Sequence, residues 1–233
     1  MRGLFITGTD TNCGKTTATL ALIHLLKTRG KIVGMKPIAC GCELVNRACR
    51  NDDALRIQAI GSVLMPYELI NPYAFSPPIA PHLAAIEEAR PINVKEIANC
   101  FHQLAEHADL VIVEGIGGWL VPLGQNFYVA DLPTALNIPV LLVIGMRLGC
   151  LNHALLTVKD MLNRGIKLSG WIANLLDPTM LRQSELLIAL NELIPAPCLG
   201  YIPYVTNVFD VMNTTSALNQ SAIFNLFSNE HIN

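Results

Sequence analysis

The feature that most restricts this chain is a set of short runs that are apolar from end to end, above all LVIVEG at 110–115 and VLLVIG at 140–145. Neither alternates polar with apolar residues, so neither offers a face to water, and each reads as a strand buried on both sides. Further strands are expected at Gly3–Thr7, Ile32–Lys36, 168–174 and 198–202. Helices are expected between them, at Lys15–Arg29 (stopped by Gly30), Asp52–Ile60, Val94–His107, Cys150–Arg164 and Thr179–Ile194. Residues 40–51 read as loop, and 71–81 (NPYAFSPPIAP) as irregular, because each proline removes a backbone donor. Strands alternating with helices imply an α/β fold with a doubly wound, mainly parallel sheet and helices on both faces. No repeat, low-complexity tract or linker divides the chain, so 1–233 reads as a single domain in which 206–233 carries no motif.

Composition excludes several roles. A charged fraction of 15% beside a hydrophobic fraction of 52% suits a sheet covered on both sides. The formal net charge of −2 gives no electrostatic footing for nucleic acid. No apolar run approaches the ~18 residues of a membrane span, and the N-terminus leads straight into a strand without a signal-peptide pattern. The expected location is the cytoplasm. The seven cysteines (13, 40, 42, 49, 100, 150 and 198) are odd in number and irregular in spacing, which reads as reduced thiols. Cys40, Cys42 and Cys49 lack the second pair or the histidine spacing of a zinc site.

In a parallel sheet, ligands bind at the carboxyl ends of the strands, so the residues there carry the functional signal. The first strand runs into GTDTNCGKTT at 8–17, and that stretch runs into a helix. This is the context of a phosphate-binding loop, where glycine lets the backbone curl, N–H groups point inward and the helix N-terminus adds its positive end. The chain thus reads as the P-loop NTPase type, with Asn12, Cys13, Gly14 and Thr17 around Lys15 for the β- and γ-phosphates and Thr16 for Mg²⁺. The usual spacing is G-x-x-x-x-G-K-[ST], whereas five residues, Thr9 to Cys13, precede Gly14 here.

Other strand ends add candidates, each with a plainer alternative. In DLVIVEGIGG, four apolar residues deliver Glu114 to a strand end, as a metal-side carboxylate or as a solvated or capping one. Asp52 and Asp53 in RNDDAL can cap the next helix or serve Mg²⁺. Lys36, held by Pro37, is either surface charge or a second cation for a transferring phosphoryl group. In RLGCLNHA, Gly149 and Cys150 begin a helix, as a second anion site or a simple cap, while His153 reads as packing.

Taken together, the long loop, GMKP, RNDDAL, VEGIGGW, RLGCLNHA, GWIAN and IPAPCLGYIP resemble the dethiobiotin synthetase family, in order and with similar spacing as far as Pro203. The long loop is itself a feature of that family. The resemblance implies an ATP- and Mg²⁺-dependent ligase that closes a cyclic urea from 7,8-diaminononanoate and CO₂ (as bicarbonate in solution). It further implies that Lys15 and Lys36 are catalytic and that Thr16, Asp53 and Glu114 hold the metal. ATP would meet 12–17, Gly115, Ile116 and Gly117, with Asn174, Leu175, Pro203, Tyr204 and Val205 at the adenine. Thr11, Cys40, Gly149, Cys150, Leu151 and Asn152 would bind substrate, the last four across a homodimer interface. Three positions depart from the familiar pattern: Asn12 stands where Glu is common, Cys40 where Ser is common and Leu175 where Asp is common.

Two rival classes share the loop. A partition-type ATPase usually has a lysine early in it, and none lies between Gly8 and Gly14; a basic membrane-seeking C-terminus is also missing, since no Lys or Arg follows Arg182. A small-molecule kinase or a related amide-forming ligase is the closer rival.

Overall fold

A computed structural model of the protein describes residues 2–205 and 215–228; residues 206–214 and 229–233 of the C-terminal segment lie outside the described residues. The first half of the chain runs β1 (Gly3–Gly8), α1 (Lys15–Leu26), β2 (Ile32–Met35), β3 (Ile38–Cys40), β4 (Glu43–Val45), β5 (Ala48–Arg50), α2 (Asp52–Ile60), α3 (Tyr67–Ile70), β6 (Tyr73–Phe75), α4 (Pro81–Glu87) and α5 (Val94–His107). It continues through β7 (Leu110–Glu114), β8 (Pro122–Gly124), β9 (Phe127–Tyr128), α6 (Leu132–Leu136), β10 (Val140–Met146), α7 (Cys150–Asn163), β11 (Leu168–Leu175), α8 (Gln183–Leu193), β12 (Cys198–Ile202) and α9 (Gln220–Ser228).

Six strands form one sheet in the order β12-β11-β10-β1-β7-β2, every pair parallel. β1, β7 and β10 are buried along their whole length, as their unbroken apolar sequences require. From β1 to β2 the chain moves one way across the sheet, and from β7 onward it moves the other. Right-handed crossovers therefore put α1 on one face and α5, α6, α7 and α8 on the other. The glycines mark both faces. A Cβ on Gly34 of β2 would fall 2.2 Å from Ile57 of α2 and 2.8 Å from Ile23 of α1, whereas one on Gly3 would meet Phe101 of α5 at 2.8 Å.

Nine of the twelve residues of α1 are buried, so this helix has covering partners beyond the sheet. α2 packs beside it on β2. α9 follows an Asn219 N–H to Leu199 carbonyl bond at β12, and its Phe224 ring meets the Arg29 guanidinium at 4.5 Å. α9 thereby packs near the C-terminal end of α1. No helix among the described residues is long and apolar enough to cross a membrane.

Three local expectations are corrected. Residues 40–51 are not simple loop: β4 and β5 form an antiparallel ribbon turned by Asn46 and Arg47, both at positive φ (50° and 67°), the conformation of a tight hairpin turn. The proline-rich stretch is not wholly irregular, because Tyr73–Phe75 lies between its prolines and pairs in parallel with β3. The helix expected from Thr179 begins at Gln183, since Asp177 accepts from both the N–H and the hydroxyl of Thr179 and holds a turn there.

The contact at Gly34 gives a direct test of the α1–α2 face. Gly34→Ala drives a methyl into Ile57 and Ile23, and the expected outcome is a loss of about 1–3 kcal/mol from overpacking, measured by urea unfolding. An unchanged midpoint would show that the two helices ride further from β2.

Candidate active site

β1 ends at Gly8, and the chain turns through residues 9–14 before α1. The loop rests on the end of β10, where Thr9 N–H donates to the Val143 carbonyl at 3.1 Å and a Cβ on Gly145 would fall 2.9 Å from Cys13 Cα. Two loop residues are left-handed, Asn12 (φ 59°) and Gly14 (φ 92°). Asparagine adopts that region more readily than most residues, which gives a local reason for Asn12 in place of the commoner glutamate. At Gly14 the need is steric too, because a Cβ would lie 1.9 Å from Asn174 Nδ2. That amide comes from β11 and donates to the Cys13 carbonyl at 3.1 Å.

Four elements converge on Glu114. It closes β7 with no exposure to solvent, and its Oε1 accepts from Lys36 Nζ at 2.5 Å and from Thr16 Oγ1 at 2.9 Å. Lys36, just past β2, is itself buried and lies 3.4 Å from Asp53 Oδ2 of α2. Burial alone would push the Lys36 pKa down, but the carboxylates of Glu114 and Asp53 outweigh it and hold the ammonium above the ordinary lysine value. The raised lysine value means that the contribution of the ammonium is present through the neutral range and is lost as pH climbs through that value. Lys36 is thus no surface charge. Neither Asp52 nor Asp53 caps α2, because Asn51 does so by accepting from Ala54 N–H at 3.1 Å, while Asp52 pairs with Arg56.

The oxygens of Thr16, Asp53 and Glu114 are the kind of donor set a hard divalent cation takes, and Glu114 Oε2 is buried without a hydrogen-bond partner. These residues fit Mg²⁺. Among the described residues, no group of three or more His, Cys, Asp or Glu side chains is arranged to hold a metal, and the set named here has two carboxylates and one hydroxyl.

A cleft of about 780 Å³ opens over this cluster. Thr11, Asn12, Gly14, Lys15, Thr16, Thr17, Lys36, Cys40, Asp53, Glu114, Ile116 and Gly117 line one part of it, and Asn174, Leu175, Tyr204 and Val205 line another. Cys13 is buried beneath the loop, and neither Gly115 nor Pro203 reaches the cleft wall. Cys40 is half-buried; burial first, with Glu88 adding and Lys36 opposing, pushes its thiol up to about 11. Gly149, Cys150, Leu151 and Asn152 do not line this cleft. Gly149 (φ 93°) caps α7 without a side-chain bond, and Cys150 N–H is already bonded to the Arg147 carbonyl.

Sequence reasoning missed several parts of the site. Pro78, Ile79, Ala80 and Pro81 form a wall of the cleft, for which the proline cluster was the available signal. Asn71 donates to the Lys36 carbonyl at 2.7 Å. Asp10 is ion-paired with Arg147, and its carbonyl accepts from Lys15 Nζ at 3.0 Å. No pattern in the sequence marks these last two contacts.

The buried cluster predicts the cost of breaking it. Lys36→Met leaves the Glu114 carboxylate without its counter-charge, and the expected destabilisation is about 3–5 kcal/mol, read by chemical unfolding of the ligand-free protein. A loss below about 1 kcal/mol, the range of exposed pairs, would contradict the buried geometry.

The family profile described as an AAA domain matches residues 2–211. The ATP-dependent dethiobiotin synthetase of Aromatoleum aromaticum is 47% identical over 205 residues, which are 88% of this chain and 91% of that one. That of Cellvibrio japonicus is 45% identical over 203 residues, 87% and 89% of the two chains. Among solved structures, the MinC:MinD cell division protein complex of Aquifex aeolicus has a TM-score of 0.60 at 14% identity, covering 100% of this chain and 98% of that one. A ParA family ATPase from Chlorobium tepidum has a TM-score of 0.55 at 13% identity, covering 100% and 98%. At such identities the likeness to these two is one of fold, that of the P-loop NTPases, whereas the length and level of the sequence matches establish kinship: the chain belongs to the family of ATP-dependent dethiobiotin synthetases, which are ligases.

Proposed function

We propose that this protein joins CO₂ to 7,8-diaminononanoate with ATP, forming dethiobiotin, ADP and phosphate as a step of biotin synthesis. One amine takes up CO₂ as a carbamate. The γ-phosphoryl group of ATP passes to a carbamate oxygen and ADP leaves. The second amine then attacks the carbamoyl carbon of this mixed anhydride, phosphate leaves, and the cyclic urea closes. The observation that carries this reading is the pairing of two lysines, Lys15 on the phosphate loop and Lys36 beside buried Glu114, within one cleft. Two preorganised cations suit a transfer whose negative charge builds on phosphoryl oxygens in a site shielded from water.

Thr16, Asp53 and Glu114 are the residues to hold Mg²⁺, which neutralises phosphate charge when bound. Thr11 and Cys40 serve the substrate, Cys40 as a neutral thiol. Gly149, Cys150, Leu151 and Asn152 serve it from the partner of a homodimer, which accounts for their standing outside the cleft of their own chain. The protein works as a single P-loop domain in the cytoplasm. Phosphate release is expected to need ATP, Mg²⁺, bicarbonate and the diamine together. ATP hydrolysis that continues unchanged without diamine and bicarbonate would refute the ligase reading.

The adenine end carries a second expectation. Asn174 Nδ2 is engaged by the Cys13 carbonyl, and Leu175 and Leu176 beside it are apolar. Asn174 Oδ1 and the second Nδ2 hydrogen are then the amide groups left to read the base, with no further polar side chain from the next two positions beside them, so discrimination is modest. Steady-state assays with ATP, GTP and CTP are expected to differ by less than about a thousandfold, ~4 kcal/mol on the affinity scale. A larger preference for ATP would mean that other groups read the base.

A further inference from the structure

The phosphate loop is one residue longer than usual, and Asp10 within it makes three polar contacts. Its Oδ2 is ion-paired with Arg147, its Oδ1 accepts from Thr11 N–H at 2.7 Å, and its carbonyl accepts from Lys15 Nζ at 3.0 Å. Both sides of the loop bear on it. A Cβ on Gly118, from the glycine run after β7, would sit 3.7 Å from Asp10 Cα.

The strand register explains why Arg147 is there. β10 pairs with β1 as far as Gly8 opposite Val143, then runs on through Met146 while β1 has already turned into the loop. β10 therefore passes beneath the loop, first with Gly145 against Cys13 and then with Arg147 against Asp10. The two side chains are 43% and 41% exposed, so their pairing adds little to global stability. Its effect is local: one end of the loop is tied to the sheet, and Lys15 hangs from the tied residue.

We propose that the Asp10–Arg147 pair is a positioning device for the phosphate loop, fixing the Asp10 carbonyl that orients Lys15. Neither side chain lines the cleft, so neither is a catalytic residue; they act through Lys15 and through the path of the loop. The inference rests on the cleft being the nucleotide site. It also gives the extra loop residue a task, because the longer loop carries a side chain out to the strand beside it.

The test compares Arg147→Gln, Asp10→Asn, the double variant and Arg147→Lys. Asp10→Asn keeps an oxygen for Thr11 N–H while it removes the charge and replaces the acceptor facing Arg147 with an amide donor. Each single neutralisation is expected to lower kcat/KM for ATP about tenfold, as misplacement of a catalytic group does, and to weaken a non-hydrolysable ATP analogue in fluorescence titration. The KM for the diamine is expected to stay within about twofold. The double variant is expected to be no worse than either single one, because the pair acts as a unit, and Arg147→Lys is expected to recover most of the loss. Losses that multiply in the double variant, or a loss confined to the diamine KM, would overturn the proposal. If Arg147→Gln does not fold, Asp10→Asn decides alone, and unchanged analogue affinity refutes it. If the wild type itself fails to bind the analogue, the nucleotide reading fails; if it binds and all variants bind equally, only the role of the pair fails.

Discussion

A carboxylate with no access to water holds this site together. Glu114 ends β7, the strand flanked by β1 and β2, with Ile6 opposite it on β1 and Met35 opposite the residue before it on β2. Burying an unpaired carboxylate is costly enough that the group must be matched or neutralised. Lys36 and Thr16 meet that demand, and Asp53 shares the ammonium. One buried charge therefore couples β7, β2, α1 and α2. The parallel register brings Lys36 alongside Glu114, so the sheet that makes the burial costly also brings the counter-charge.

The other side of the site is built from backbone and small residues. The loop lies on the end of β10 because Gly145 has no side chain to lift it, and Asn174 reaches Cys13 because Gly14 leaves room. Charge is gathered around Lys15, Lys36, Asp53 and Glu114, while Leu175, Leu176, Tyr204 and Val205 contribute a more apolar lining. A cleft with one polar end and one apolar end suits a nucleotide, whose phosphates need donors and cations and whose base needs a surface to lie on.

Much of this was legible in the sequence. The central strands were visible because a strand covered on both faces must be apolar throughout, and the expected spans at 110–115 and 140–145 match β7 and β10 closely; the span at 198–202 matches the edge strand β12, which is only partly buried. The phosphate loop was visible because its glycine, lysine and threonine serve backbone geometry and charge at fixed local offsets. The ribbon of β4 and β5 and the short β6 were not visible. Runs of three residues carry too little periodicity to register, and in β4 and β5 no residue is fully buried to leave an apolar mark.

What the sequence by itself determined was the set of elements and the chemistry at their ends: a parallel sheet, a loop for phosphates, and Lys36 and Glu114 each closing a strand. What only the tertiary structure decided was which of those ends meet. Asp10 and Arg147 stand 137 residues apart, and Asn174 stands 161 from the Cys13 carbonyl it holds. The choice of Asp53 over Asp52 for Lys36 follows from where α2 turns after its Asn51 cap. Burial patterns and turn chemistry act over a few residues and are written locally. Strand order and register set the long-range pairs, and they arise from packing the whole sheet at once.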